Sequence, residues 1–408
     1  GVQLVSLVAE GKLTADAALA KQAFVNAGGV RLKDYQLIDN SADIVVDGIF
    51  GTGLDRTVSG TFATAIAHIN QLSVPVFAID IPSGLHADTG NIMGCAINAT
   101  MTITFIVLKK GLFTGLAADY CGLLLFSDLA VPQSIIQSVS SQESLLSLPM
   151  LAKRKASAHK GSFGHVLVVG GDYGYAGAVH LAAAAALNTG AGLVSVATRR
   201  EHALQVHLFR PELMGHALEQ LSDISSLCDK ATALVFGPGL AQQQWAQSIW
   251  PTLVALDLPR VIDADALNLL AKEPSYSENW ILTPHPGEAA RLLHCSTADI
   301  LQDRFKAVRA IQQQYGGVCV LKGAGSLVCA GSEVYINTTG NPGMASGGMG
   351  DVLSGIIGSL LAQKYSLIEA AKTGVYLHGL AADKAAVSRG ERGLCASDVL
   401  QYLQEVVN

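Results

Sequence analysis

The chain predicts an α/β protein of two domains, each a mostly parallel sheet covered by helices on both faces. Three observations lead there. Short apolar runs recur along the sequence, and each ends in a loop rich in Gly, Pro or Asp. Stretches of helical period separate them, the alternation that builds crossover-connected parallel strands. The chain has 408 residues, half of them hydrophobic, enough for two cores.

In chain order, 43–50 (DIVVDGIF) and 74–80 (VPVFAID) are the first strands, joined by a helix near 60–72. The Ser- and Gln-rich stretch from 128 to 160 has no sustained period and ends in a basic cluster, so the domain boundary belongs inside it. We expect a first domain over 1–135, a linker over 136–158 and a second domain over 159–408. In the second, HVLVVGG (165–171), GLVSVAT (192–198), ALVFGPGL (233–240), RVIDADAL (260–267) and NWILTPHPGE (279–288) are strands running into polar loops, with helices at 178–190 and 298–315. Ligands of such sheets bind beyond the carboxyl ends of the strands, so these loops are where chemistry is sought.

Composition narrows the classes. Charged residues make up 15% and aromatics 6%, and the formal charge is −6, which excludes a general basic field, a nucleic-acid module and a disordered tail. A polyanion must then be held by local backbone and a few cations. Seven cysteines, odd in number and without a CxxC pair, argue against a disulfide framework or a zinc knuckle and for a reducing cytoplasm. No apolar run approaches about 18 residues, so no membrane partner is expected. Low charge suggests apolar surface buried between subunits, hence a homo-oligomer.

The densest motif is GNPGMASGGMGDVLSGIIG (340–358). Apolar residues at 352, 353, 356, 357, 360 and 361 form a helical stripe, which puts Gly350 and Asp351 at a helix N-terminus. Free N–H groups and the positive dipole end face a glycine loop that an anion can approach closely. It lacks the Gly-Lys-Ser/Thr of a Walker loop and does not match the dinucleotide fingerprint. Asp351 is either a plain N-cap or, beside a bound phosphate, a general base.

Other stretches carry the same double reading. VLKGAGSLV (320–328) is a strand, tight turn and strand with Lys322 at its entrance, facing a nucleotide or merely solvent. TPHPGEAARLL (283–293) fixes His285 between prolines before a helix starting at Gly287 or Glu288; Glu288 is there a first-turn acid favourable to the dipole. Asp263 and Asp265 share one side of an extended segment and suit a metal, a ribose or a helix cap. In the first domain Asp47, the turn GTGLDRT (51–57), Asp80 and Ser83 form a second strand-end cluster, suited to a cation, a proton transfer or turn duty.

Taken together, HKGSFGHVLVVGG, FGPGL, DADALNLL, LTPHPGEAARLL, VLKGAGSLV and the 340–358 stretch resemble, in this order, the ADP/ATP-dependent NAD(P)H-hydrate dehydratases, which are ribokinase-like enzymes. VDGIFGTGLDR, AIDIPSGLHADTG and TITFIVLKKGLFTG resemble the NAD(P)H-hydrate epimerase domain, Rossmann-like in fold. The combination is similar to bifunctional nicotinamide-nucleotide repair enzymes. The resemblance implies three-layer α/β/α domains and a kinase-like site. There the hydroxyl of hydrated NADH or NADPH would be phosphorylated from ADP, or ATP, and phosphate then lost.

By matching motifs, Asp351 is the implied base. Lys322, Gly323, Ala324, Gly325, Ser326 and Gly350 are the implied ADP contacts, and Ala178, Gly239, His285 and Asp351 the implied hydrate contacts. Mg2+ is the implied cation of phosphoryl transfer. In the epimerase half, Asp47 and Ser83 match a K+ site, while Gly51, Thr52, Gly53, Leu54, Asp55, Arg56, Thr57 and the catalytic candidate Asp80 match the substrate site. An upstream Asn-Asn-Gly-Gly-Asp-like motif of that family is not in this sequence, so an N-terminally incomplete epimerase domain is expected. The competing expectations are a ribokinase-superfamily small-molecule kinase and a nucleotide- or partner-binding protein with a decayed first half.

Overall fold

The computed structural model describes residues 1–8, 15–139 and 141–408. They fall into two compact units, Gly1–Ser140 and Ser141–Asn408. In the first, β1 (Gln3–Val5) and β2 (Val30–Leu32) form a parallel pair. A four-stranded parallel sheet follows, built from β3 (Val45–Asp47), β4 (Val76–Ile79), β5 (Met101–Phe105) and β6 (Leu123–Ser127) in that order. The helix Gly60–Gln71 links β3 to β4 and turns Ala65, Ile66 and Ile69 inward, onto a core with Val45, Val76 and Ile97. Burial in β5 alternates, with Thr102 and Thr104 inward; the Thr102 hydroxyl is spent on the Cys121 carbonyl at 2.7 Å, which makes a buried hydroxyl tolerable.

The second unit holds ten strands. β7 (Glu143–Leu145), β8 (His165–Val169), β9 (Leu193–Thr198), β10 (Met214–Ala217), β11 (Ala233–Phe236), β12 (Arg260–Ile262), β13 (Trp280–Leu282), β14 (Val318–Leu321), β15 (Leu327–Ala330) and β16 (Glu333–Ile336) pair in the order β10-β9-β8-β11-β12-β13-β14-β15-β16-β7. Pairing is parallel except on both sides of β15. The central strands HVLVV, ALVF, RVI, WIL and VCVL are buried almost throughout, as strands covered on both faces must be. Their carboxyl ends release Gly170–Tyr175, Gly237–Leu240, Asp263, Thr283–His285 and Lys322–Ser326 at one edge of the sheet.

The structure departs from the sequence expectation at three points. Glu143–Leu145, in the stretch expected to be a linker, is an edge strand parallel to β16. The helix expected over 298–315 is two, Thr297–Gln302 and Arg304–Tyr315, broken where Asp303 leaves helical space (φ −149, ψ 89) to cap the second through Lys306 N–H at 2.9 Å. The helix after the long glycine loop begins at Met349 and not at Asp351, with Gly348 as its N-cap.

That helix, Met349–Ala362, is apolar and nearly wholly buried between the sheet and the helix Ala176–Asn188. The two approach at Gly355, where an added Cβ would lie 2.0 Å from the Ala182 carbonyl oxygen. Only glycine allows this spacing, which fixes where the amino end of the helix, and with it Asp351, meets the sheet edge. Among the described residues no helix is long and apolar enough to cross a membrane.

Candidate active site

Asp263 ends β12 with its carboxylate 1% exposed and fully engaged. Oδ1 accepts from Thr283 Oγ1 at 2.8 Å and Lys322 Nζ at 2.9 Å, and Oδ2 accepts from Ser354 Oγ at 2.7 Å. Asp265 goes elsewhere, because Ala264 (φ 47, ψ −120) breaks the extended geometry that would have put both acids on one side. A non-glycine residue in that region is strained, and here the strain turns Asp263 inward while a helix starts at Asp265.

Lys322 is the hub. Its backbone N–H donates to Pro284 O at 2.9 Å, and its ammonium lies 3.8 Å from Glu288 Oε2 as well as on Asp263. Burial works against the ammonium, but Asp263 and Glu288 outweigh it and hold the Lys322 pKa above the usual lysine value. Behind the turn, Arg304 is 2% exposed and donates to the carbonyls of Leu321, Lys322, Ala324 and Gly325. Burial lowers its pKa to about 10, so it stays charged at neutral pH. With the Ala324 and Gly325 carbonyls turned toward Arg304 and Gly323 bonded to the Ser326 hydroxyl, the turn is fixed beside a positive charge.

His285 is the N-cap of the helix Pro286–Leu292, one residue earlier than expected. Its Nδ1 accepts from Gly287 N–H at 2.9 Å while Glu288 Oε2 accepts the His285 N–H at 2.7 Å, a reciprocal capping box. An Nδ1 that accepts leaves the proton of neutral imidazole on Nε2, 3.4 Å from Glu288 Oε1. Burial first, then Lys322 and Arg291, lowers the His285 pKa and favours that neutral form. The ring is half-exposed, with Nε2 on the side of the buried Glu288 carboxylate.

Asp351 is the third residue of Met349–Ala362, whose N-cap is Gly348, so the plain N-cap reading fails. Burial, followed by the negative charge of Asp263, pushes its pKa up to about 7, against the pull of Lys322. Burial likewise raises Glu288 to about 7. Gly350 is next to Lys322: a Cβ there would lie 3.2 Å from the ammonium. The preceding loop is tied down by Asp383, which accepts from Gly340 N–H and Asn341 Nδ2, both at 2.9 Å.

Thus Lys322, Gly350, Asp351, His285 and the turn 322–326 come together at one sheet edge. Gly239 and Ala178 also meet: Gly239 has φ +58, and its absent Cβ would be 3.0 Å from Ala178 Cβ and 2.6 Å from Tyr175 O. Sequence reasoning missed Asp263 as the central acceptor, and Thr283, Ser354 and Arg304 altogether. Their partners lie 17 to 91 residues away, and no local pattern announces them.

The other unit carries its own cluster. Asp47, 1% exposed at the end of β3, accepts from Ser83 Oγ at 2.6 Å, Ser83 N–H at 2.7 Å and Ile49 N–H at 3.2 Å. Burial raises its pKa despite those bonds. Asp80 adopts φ +71, and its Oδ1 accepts from Lys109 Nζ at 2.5 Å and from Thr104 Oγ1 and Phe105 N–H at 3.2 Å. Lys109 and Thr104 were not anticipated. Of the 51–57 turn only Leu54 is buried, so Gly51–Gly53 and Asp55–Thr57 offer backbone and side chains outward.

A reaction that used the Asp351 carboxylate as its base would show a kcat/KM that rises with pH through an apparent pKa near 7, since a base must be ionised. Stability should run the other way. Asp351 and Glu288 have folded-state pKa values raised above their unfolded ones, so their contribution is whole below about pH 4 and is lost as pH rises through about 7. A pH–rate profile beside a pH series of urea midpoints checks both signs.

A sheet with its polar residues converging at the carboxyl edge, a glycine loop feeding a helix and an aspartate in the first turn define a ribokinase-like α/β enzyme. Solved structures agree: a ribokinase-like superfamily protein of Enterococcus faecalis V583 is 29% identical, covering 66% of this chain and 96% of its own, with TM-score 0.61. An ADP/ATP-dependent NAD(P)H-hydrate dehydratase of Bacillus subtilis, co-crystallised with ATP and Mg2+, is 29% identical over 63% of this chain and 93% of its own, with TM-score 0.57.

The chain belongs to the NAD(P)H-hydrate dehydratase family, whose profile matches residues 166–405. Residues 1–111 match the YjeF-related protein N-terminus, so that domain is present as well. Two bifunctional NAD(P)H-hydrate repair enzymes are similar to this chain over most or all of its length. That of Coxiella burnetii is 49% identical over 90% of this chain and 76% of its own, and that of Escherichia coli K12 is 45% identical over the whole chain and 80% of its own.

Proposed function

We propose that residues 141–408 dehydrate hydrated NADH or NADPH at the expense of ADP or ATP, and that the first unit interconverts the hydrate epimers. The observation that carries the reading is Asp351 in the first turn of a helix, where the preceding residue, Gly350, lies against the Lys322 ammonium.

In this reading the hydrate lies against Ala178, Gly239 and His285, and the nucleotide lies on Lys322–Ser326 and Gly350. Asp351 takes the proton of the ring hydroxyl as its oxygen attacks the terminal phosphorus of the nucleotide; the P–O bond to the leaving nucleotide breaks, giving AMP from ADP. The lysine and the helix end stabilise the charge spread over the phosphoryl oxygens. The C–O bond then breaks with its electron pair leaving on phosphate, and loss of a proton from the neighbouring ring carbon restores the double bond.

Mg2+, usually held by substrate phosphates and one or two carboxylates, would neutralise phosphate charge. Asp263 and Glu288 already accept from neighbouring side chains and backbone, so the phosphates themselves would supply most of its ligands, with the two carboxylates at hand beside them. In the first unit, the Asp47 carboxylate, the Ser83 hydroxyl and the nearby Phe50 carbonyl are hard oxygen donors that fit K+. Asp80 is the candidate for proton transfer to the hydrate there. A cytoplasmic setting and a homo-oligomer, for which the exposed apolar side chains of Leu204, Leu208 and Phe209 offer surface, complete the reading.

The test is to mix the chain with hydrated NADPH, ADP and Mg2+ and follow the return of reduced-nicotinamide absorbance. A stable phosphorylated product without recovered absorbance would favour the small-molecule kinase. In parallel, potassium-dependent equilibration of the two epimers, resolved chromatographically, is expected of the first unit; none under any cation would leave that unit as a binding domain.

A further inference from the structure

Beside His285, on the side of the helix Pro286–Leu292, lies a cavity of about 730 Å3. Gly287, which donates to His285 Nδ1, forms part of its wall, so the cavity opens from the turn that carries His285. Its walls include Lys272, Arg291 and His294 and, among the described residues, no aspartate or glutamate. In a chain of net charge −6 this is an unusual lining.

The way the two cations are held is more telling. Asp265 Oδ1 accepts from Gln242 Nε2 at 3.2 Å and Asn268 Nδ2 at 3.1 Å. A carboxylate only accepts, so both amide NH2 groups face Asp265 and both amide oxygens face away. Gln242 Oε1 then accepts from Lys272 Nζ at 2.8 Å, and Asn268 Oδ1 from Arg291 Nη1 at 3.0 Å. Two cations are thus positioned by neutral amides, and among the described residues neither has a carboxylate within ion-pair distance. The nearby Asp299 is spent on Ser296, accepting from its N–H at 2.9 Å and its hydroxyl at 2.6 Å. Arg291 is within electrostatic reach of Glu288 but is paired with no carboxylate among the described residues, and two such cations lining a cleft of this size offer the recognition chemistry of phosphate.

We propose that Arg291 and Lys272 form a phosphate subsite of the hydrate pocket, holding a phosphate of the dinucleotide beyond its nicotinamide ring. This rests on the reading that the hydrate binds at His285. Asp265, through Gln242 and Asn268, positions the two cations, a use of this acid different from metal, ribose or simple capping.

Arg291→Gln and Lys272→Gln should each raise KM for the hydrate about tenfold, the size of one charge-assisted contact, while KM for ADP stays where it was. Both NADH hydrate and NADPH hydrate are assayed. A rise with both means the subsite grips the pyrophosphate, and a rise with NADPH hydrate alone means the 2′-phosphate; either supports it. Unchanged hydrate KM in both variants, or an equal rise in ADP KM, overturns it. If the parent chain dehydrates nothing, the catalytic reading has failed separately, and the same variants are titrated with NADPH itself by its fluorescence. Weaker binding in the variants then sustains the subsite, and binding equal to the parent, or none by the parent, removes it.

Discussion

Asp351→Asn lowers kcat for hydrate dehydration by about 10³-fold, within the range lost when a positioned general base is removed, and leaves KM for ADP close to the parent's. The same variant is no less stable than the parent at pH 8. In the parent, an Asp351 with its pKa pushed up to about 7 by burial must ionise in a desolvated setting at that pH, and asparagine removes the cost. Lost turnover with an unchanged or higher urea midpoint separates the loss of a base from damage to the fold. Retained turnover would falsify the assignment of the base.

Lys322→Met has the largest expected effect on stability. Three carboxylates, Asp263, Glu288 and Asp351, feel this one ammonium, whose side chain is only 19% exposed. Removing one partner of a buried pair leaves an uncompensated charge and costs about 3–5 kcal/mol. The loss should be larger at pH 8 than at pH 5, because below about 7 Glu288 and Asp351 take up protons and need the ammonium less. Urea titration followed by tryptophan fluorescence isolates the effect: Trp245, Trp250 and Trp280 are the only tryptophans, and all lie in the second unit. Equal midpoints for parent and variant at pH 8 would mean that the ammonium is not what keeps the acids together.

Much of this was legible in the sequence because the information is local. Buried parallel strands are continuous apolar runs, and β8, β9, β11, β12 and β13 fall within the expected segments. The glycine loop, Asp351 and the helical stripe are contiguous, as are Lys322 and its turn. What stayed hidden depends on long-range pairing. Nothing near Asp263 says that Thr283, Lys322 and Ser354 will saturate its carboxylate, so metal, ribose and cap stood as equals. Asp47 and Ser83, 36 residues apart, fall in one cluster on the sequence, but that they bond each other directly is not legible there. Asp80 showed its carboxylate but not its left-handed backbone or the Lys109 clamp. Glu143–Leu145 is too short and too polar to read as a strand; it is one because β16 offers it an edge.

That last strand bears on how the protein should be cut. Glu143–Leu145 saturates the outer edge of β16, and Arg309 Nη2 anchors it through Glu143 Oε1 at 2.7 Å. A fragment begun where the apolar runs resume, near residue 159, would discard this covering and present Glu333–Ile336 as an open edge, a template for other chains. One begun at Ser141 keeps the edge closed. The practical frontier between the two units is therefore drawn by hydrogen bonds, some eighteen residues (159 against 141) ahead of where hydrophobicity alone would draw it.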